Sequence, residues 1–395
     1  MNVTQEYKQT EFGPIPSDWI LCTFQDVLVT FSSGATPYRG IPEYYKGNVR
    51  WISSGELNYN KIFDTVEHIS QQAVRNTNLR AHQPGTFLMA ITGLEAEGTR
   101  GRCAFVGAPA TTNQSCLAIN GTERMCTEYL FWFYRMWGQY LAFKYCQGTK
   151  QQSYTANIVR NLPIYGPKDI TEQQAIAEAL SDIDGLIAAL DKKIAKKRLI
   201  KQGAMSKLLS LSNRGKKWFN TKLGRVVNIR KGSMLTSEEF IVGNVPVIAG
   251  GKTPAGYHNV ANRPANTITI SASGASAGYV ALHNTPIFAS DCSTIVPDPS
   301  YDIKYMYHIL VYYQSEIYSL QTGGAQPHVH PSDLNEMQIL YVSDIKTQQA
   351  IATILSDMDK EIADLEAKRD KYRLLKSGMM QKLLTGQIRL KINRI

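Results

Sequence analysis

One segment of this chain occurs twice, and that duplication constrains the fold more than any other feature. Residues 169–209 (DITEQQAIAEALSDIDGLIAALDKKIAKKRLIKQGAMSKLL) return as residues 344–384 (DIKTQQAIATILSDMDKEIADLEAKRDKYRLLKSGMMQKLL). The offset is 175 residues without a gap, and 24 of the 41 positions are identical. A long ungapped repeat means that the chain follows one structural plan twice.

The periodicity of each copy predicts a helix. In the first, Ile176, Leu180, Ile183, Ile187, Leu190 and Ile194 recur in steps of four and three. In the second, Ile351, Leu355, Met358, Ile362 and Leu365 do the same, and Tyr372, Met379 and Leu383 resume the pattern. A spacing of about 3.5 residues makes a narrow apolar seam suited to one partner helix. Neither copy contains proline. Asp169 and Asp344 are placed to cap the two starts, Glu172 or Gln174 could complete a capping box, and Gly386 could stop the second helix. Two matched seams most simply pack on each other. The rival arrangement lays each helix on its own domain.

The 395 residues allow two or three domains, and 43% hydrophobic content supports packed cores. There is no apolar run long enough for a membrane span, and the polar start MNVTQEYKQTEFGPIP lacks the apolar core of a signal peptide. The six cysteines, Cys22, Cys103, Cys116, Cys126, Cys146 and Cys292, form no C-x-x-C pair. That pattern predicts free thiols and a cytoplasmic protein. A formal charge of +10 favours a polyanionic partner.

The repeat divides the chain into residues 1–168, a spacer helix at 169–210, residues 211–343, and a second helix with its tail at 344–395. The two intervening units share an order of parts. In each, a Trp (Trp19, Trp218) leads into a strand-like stretch, WILCTFQDVLVTF in the first. Polar Gly-rich loops, short buried strands and an aromatic helix follow: EYLFWFYRMWGQYLAFK at 128–144 and KYMYHILVYYQSEIYSL at 304–320. Each unit ends in a polar loop and a short strand. From Trp to the repeated Gln-Gln is 154 positions in the first unit and 130 in the second, so the first carries about 24 extra residues. The predicted fold class is α/β (α+β): two β-rich mixed domains separated by two long coiled-coil helices that form an internal repeat.

Tests for catalysis find little. PVIAGGKT (246–253) lacks the first glycine of a phosphate loop, and the following PAGYHNV cannot open a helix. PDPSYDIK (297–304) superficially resembles a metal-dependent nuclease motif, but its two aspartates are too close in sequence to come from different strands. His328 and His330 could share one side of a strand but lack a third metal ligand. No motif for adenine methylation is present. The reading is a non-catalytic binding protein with no metal and no cofactor in this chain.

DNA readers need cations for phosphates and polar groups for base edges. The first unit offers Thr36, Tyr38, Arg39, Ser53, Ser54, Arg100, Arg102, Lys150 and Gln151 in its loops. The second offers Lys231, Ser233, Lys252, Thr253, His258, Ser273, Ser276, Gln326, His328 and His330. For each of these alone, the plain alternative is a solvated loop side chain. A basic run on the first helix, Lys192, Lys193, Lys196, Lys197, Arg198 and Lys201, is either a solvated face or a contact with the DNA backbone.

With these parts in view, the chain resembles the specificity subunits of Type I restriction–modification enzymes. The resemblance rests on the paired QQAIA…LSD…D…KLL helices, each following a divergent unit that begins near a Trp, together with FGPIPSDW and KLLTGQIRL. It implies that each unit is a target recognition domain reading half of an interrupted double-stranded DNA site, with the two helices antiparallel, related by a pseudo-twofold, and setting the spacing. It implies two modification (methyltransferase) subunits docked on the helices, and restriction subunits that translocate and cleave. S-adenosylmethionine, ATP and Mg are then expected on those partners, and the chain itself carries no catalytic residue. The seam residues Ile176, Leu180, Ile183, Ile187, Leu190, Ile351, Leu355, Met358, Ile362 and Leu365 are the expected helix-pair and subunit interface. Two other readings compete: an autonomous DNA-binding regulator that dimerises through the helices, and a nucleotide hydrolase using Lys252.

Overall fold

The computed structural model describes residues 6–209 and 218–390. Residues 1–5, the expected boundary at 210/211, the Lys217 lead-in and residues 391–395 lie outside the described residues. The chain forms two compact units. Unit 1 comprises Met1–Ala189 with Asp370–Ile395, and unit 2 comprises Leu190–Arg369. Each unit therefore holds one β-rich lobe and part of each repeated helix.

The lobes follow one plan. In unit 1 a five-stranded sheet runs Val29–Ser33, Cys116–Asn120, Phe87–Ala90, Cys103–Val106 and Lys61–Ile62, antiparallel except for the last pairing. In unit 2 the corresponding sheet runs Arg230–Lys231, Cys292–Ile295, Thr267–Ser271 and Val280–His283, all antiparallel. Each lobe adds a small three-stranded sheet, centred on Val49–Ile52 or Val245–Ile248, with one parallel and one antiparallel pairing. Each also closes on a strand pair, Ile20–Thr23 with Pro163–Gly166 and Trp218–Lys222 with Gln338–Val342. Phe87–Ala90, Cys103–Val106 and Thr267–Ser271 are buried at every position, so their sequences run apolar or Thr-rich without alternation. The strand Lys61–Ile62 and the helix Gln71–Asn76 are among the additions peculiar to unit 1.

The aromatic helix of unit 1 spans Thr127–Tyr145 and is buried along most of its length. Phe133 and Trp137 meet Phe12 and Tyr165, while Trp19 stacks on Tyr165. In unit 2 the expected single helix is two, Ile303–Tyr312 and Gln314–Ser319. At the break, the Tyr313 hydroxyl accepts the Leu340 amide, and the Gln314 side chain bonds the backbone at Gly278 and Val280. The expected continuous strand after Trp19 is likewise interrupted. One helical turn, Phe24–Val27, is nucleated where Asp26 accepts the Thr23 amide and hydroxyl.

The repeated segments form helices of 40 residues each, Ile170–Leu209 and Ile345–Leu384. Asp169 caps the Thr171 amide and Asp344 the Thr347 amide. Gly386, at φ +70°, follows the end of the second helix. Glu172 meets the C-terminal tail. Its carboxylate is held by Arg389, which also reaches Asp18, and so ties the C-terminal tail into unit 1.

The repeat motif has a specific structural task. Gln173 and Gln348 are repeat mates, and both are fully buried. Gln173 Oε1 accepts the amide of Cys126, the residue capping the aromatic helix, while its Nε2 donates to the Pro167 and Arg124 carbonyls. Gln348 Oε1 accepts the amide of Asp302, the equivalent cap, and its Nε2 donates to the Val342 carbonyl and the Tyr341 hydroxyl. Each glutamine thus fixes the start of a long helix to the start of its lobe's aromatic helix.

Within each unit the two helices run antiparallel. In unit 1, Asp184 pairs with Lys376. In unit 2, Lys201 pairs with Asp359, Lys197 with Glu361 (2.7 Å), Arg198 with Glu366 (2.5 Å) and Asp191 with Arg369 (3.5 Å). Asp184 and Asp359 are repeat mates, as are Lys201 and Lys376, so one pair of repeated residues cross-links the helices in both units. The seam is divided in use. Ile176 and Leu180 join the core of unit 1, and Ile351 and Leu355 join that of unit 2. The arrangement with each helix on its own lobe therefore holds at the helix starts. Further along, Ile183, Ile187 and Ile362 are buried, whereas Leu190, Met358 and Leu365 are half-buried.

Candidate nucleic-acid interface

In each unit the loops at one end of the strands converge through the same ladder of backbone bonds. In unit 1 the Tyr154 amide donates to the Ile91 carbonyl (2.8 Å), the Leu94 amide to Gln152 (3.0 Å), and Ile91 to Ser115 (2.9 Å). In unit 2 Val329 donates to Ala272 (2.9 Å), Gly274 to Pro327 (3.0 Å), and Ala272 to Asp291 (3.2 Å). Ser153 bridges Gln147 and Thr92, and His328, 175 positions later, bridges Thr322 and Ser273. Gly148 and Gly323 turn these loops at φ +105° and +90°. A Cβ there would strike the Gln151 or Gln326 carbonyl, at 2.2 and 2.8 Å, so the turns require glycine. Gly34 and Gly232 likewise press against the carbonyls of Thr112 and Ser290.

On this shared frame the side chains differ. In unit 1, Thr36 bonds Gln114, Thr92 bonds Ser115 (2.6 Å), and Lys150 and Gln151 are exposed without a side-chain hydrogen bond among the described residues. In unit 2, Ser273 bonds the Asp291 carboxylate, Lys252 lies 5.3 Å over the Tyr279 ring, and His328 stacks on His330 with ring centres 6.2 Å apart. Thr253, Gln326, Lys231 and Ser233 are exposed, and Ser276 and Ser54 are half-buried.

Several residues expected to face DNA are held by the protein itself. Arg39 forms two bonds to Glu67 (2.5 and 2.8 Å) and lies 4.3 Å over the Tyr45 ring, and that contact holds the Glu67 carboxyl below its ordinary value. Arg100 donates to the Leu94 and Glu95 carbonyls at 2.7 Å and so shapes its own loop. Arg102 bonds Asn58 and covers Tyr59. Ser53 bonds Glu56. His258 is buried, accepts the Ile241 amide at Nδ1 (3.0 Å) and packs edge-on against Phe288. Tyr38 stands out as 73% exposed beside the Arg39 cluster. The basic run on the first helix divides evenly: Lys197, Arg198 and Lys201 hold the second helix, while Lys192, Lys193 and Lys196 are exposed.

Ser115, Asp291 and Gln114, which help build the clusters, escaped the sequence reading. Their signal was alignable, since Ser115 and Asp291 each precede a cysteine that opens a strand (Cys116, Cys292). All six cysteines are free, and burial pushes the Cys22 thiol up to about 11 and Cys292 to about 12. Such thiols are poor nucleophiles at neutral pH. Residues 249–255 lead into the strand Gly256–His258, so Lys252 has no helix start beside it. Asp298 bonds Ser300 in a turn and Asp302 caps a helix, so the nuclease-like stretch is structural. Among the described residues no cluster of His, Cys, Asp and Glu could hold a metal, and no helix is long and apolar enough to cross a membrane.

The duplicated plan coincides with a known family. A model of the Type I restriction modification DNA specificity domain matches the chain twice, over residues 16–197 and 215–372. The chain belongs to this family. It is 30% identical over 187 residues to the Type I restriction enzyme MjaIX specificity subunit of Methanocaldococcus jannaschii, covering 46% of this chain and 41% of that protein. Two mycoplasma relatives are likewise matched over 47% and 45% of their own lengths. The MjaVIII specificity subunit of the same archaeon aligns over 98% of both chains at 21% identity. The crystal structure of a Type I restriction–modification S subunit from M. genitalium superposes with a TM-score of 0.71, covering 99% of this chain and all of that one at 17% identity. At that identity the superposition speaks for the fold. Both lobes thus fall within the Type I restriction modification DNA specificity domain family, while the chain spans about half the length of the first of these relatives.

Proposed function

We propose that this chain is the non-catalytic reader of a Type I restriction–modification complex, and that each lobe's loop cluster reads one half of a gapped DNA site. The observation that carries this reading is a conserved ladder of backbone bonds under two divergent sets of side chains. A shared frame holds loops at equivalent places, and different polar groups on it suit different base edges. Thr36, Lys150 and Gln151 are the leading contacts in unit 1, and Lys252, Thr253, Gln326 and His330 those in unit 2. Each 40-residue helix is roughly 60 Å long. That exceeds the 34–36 Å or so between successive major-groove faces on one side of a duplex. The helices accordingly set the half-site spacing and dock two modification subunits. S-adenosylmethionine, ATP and Mg belong to the modification and restriction subunits, and the complex works in the cytoplasm.

The test is methylome sequencing of cells carrying this chain with its modification subunit. The expected product is a bipartite methyl-adenine motif in which exchanging one lobe changes only one half. A motif that changes in both halves, or methyl transfer by the purified chain alone, would falsify the proposal.

A further inference from the structure

The aromatic helices of the two units start from equivalent caps, Cys126 and Asp302, each bonded to its repeated glutamine. Counting from those caps, Trp132 corresponds to His308 and Arg135 to Val311. Bonding confirms the register. Trp132 Nε1 donates to Ser181 Oγ at 3.2 Å, His308 Nε2 meets Ser356 Oγ at 3.1 Å, and Ser181 and Ser356 are repeat mates.

The next position breaks the symmetry. In unit 1, Asp184 uses both oxygens: Oδ1 accepts from Lys376 and Oδ2 from Arg135 Nη1 at 2.9 Å. The Arg135 guanidinium also lies 5.0 Å over Trp132 and 5.2 Å over Tyr59. In unit 2, Asp359 Oδ1 accepts from Lys201, but Oδ2 accepts nothing from the described residues. Val311 stops short of the place that Arg135 fills. A cleft of about 610 Å³ opens there, walled by Lys201, Met205, Val311, Tyr312, Gln314 and Asp359.

We propose that this cleft takes an arginine side chain presented by a partner protein, with its guanidinium on Asp359 Oδ2. The proposal is independent of the DNA-reading role. Unit 1 supplies the precedent, because the same aspartate–lysine pair there accommodates a guanidinium without losing the lysine. The sign of the ligand follows from what is left unsatisfied. The two cations that line the cleft, Arg198 and Lys201, are engaged by Glu366 and Asp359, and Asp359 Oδ2 is left as its carboxylate acceptor with no donor among the described residues. Met205 and Val311 suit the methylene stem, and Tyr312 adds an aromatic side chain to the wall. The volume is in the range that encloses a drug-sized ligand, roughly 300–1,000 Å³. It therefore suits an arginine with its flanking residues, which points to a protein segment.

The test titrates the full chain with N-acetyl-arginine methylamide and with the neutral citrulline analogue. The arginine probe should saturate at about 1–10 mM, and the citrulline probe should bind at least about tenfold more weakly. Val311→Arg, which copies unit 1, should weaken arginine binding at least about tenfold, and so should Asp359→Asn if the first variant does not fold. Equal affinity for both probes, unaltered binding by the variants, or no saturation at about 50 mM would overturn the proposal.

Discussion

The two units solve one packing problem with different chemistry. Both anchor a long helix through a buried glutamine, and both cross-link the helix pair through the same aspartate and lysine of the repeat. Around that pair, unit 1 adds an arginine clamped between two aromatic rings, and unit 2 leaves an open cleft. Even the hydroxyl partner of the repeated serine changes from indole to imidazole. Burial pushes His308 down to about 4, so at neutral pH it meets Ser356 as an uncharged ring. Duplication has kept the residues that position the helices and released those that face the lobes. What is shared marks the scaffold, and what differs marks where each unit can meet something else.

The largest expected effect probes the shared part. Gln173→Ala and Gln348→Ala each remove three hydrogen bonds and strand buried backbone groups, at about 1–3 kcal/mol per stranded group. Each variant should lose about 3–5 kcal/mol in its own unit. Hydrogen exchange should show faster opening of Thr127–Tyr145 in the first case and of Ile303–Tyr312 in the second. Markedly unequal losses would break the equivalence of the repeats.

A smaller effect probes the difference. Asp184→Asn disturbs two cations and Asp359→Asn one, so denaturant unfolding should show a loss of about 2 kcal/mol against about 1 or less. These figures are discounted because the two carboxylates are 33% and 40% exposed. Burial tends to raise the Asp184 carboxyl, but Lys376 and Arg135 outweigh it and hold the group below its ordinary value. Burial also lowers the Lys376 ammonium, so the pair contributes less than its contacts alone suggest. The depressed carboxyl sets the sign of the pH dependence. Its contribution is present above the unfolded value near 3.9 and is lost as pH falls through the lower folded value. An acid titration of unit 1 should therefore flatten below about pH 4 in Asp184→Asn.

Much of this plan was legible in the residues. The ungapped repeat predicted two long helices that pack on each other, because helix periodicity survives without tertiary context, whereas their antiparallel sense came from the family resemblance. The lobe strands were visible as short apolar runs, and Gly386 as a stop. The helix break at Tyr313 was not legible, because it depends on bonds from Tyr313 and Gln314 to strands far away in sequence. The fate of the arginines was equally hidden. Arg39 and Arg100 have the composition of phosphate contacts, yet Glu67 and the Leu94 carbonyl reach them first. Local sequence marks a cation but does not show whether the fold already supplies its partner.

That lesson bears on the smallest predicted effect, at the basic run of the first helix. Lys197 and Lys201 are engaged with the second helix, whereas Lys192, Lys193 and Lys196 face solvent. Replacing the exposed three with Gln should leave thermal stability unchanged, since no ion pair among the described residues is lost. If they meet the DNA backbone, the salt dependence of DNA binding should fall by about 0.9 in log–log slope for each phosphate contact removed. Sequence preference should not change, because phosphates carry no base information. Replacing Lys197 and Lys201 should do the reverse, lowering stability by up to about 1 kcal/mol per pair with little change in slope. An unchanged slope in the first variant would identify the exposed lysines as a solvated face, and would leave the loop clusters as the source of DNA contact.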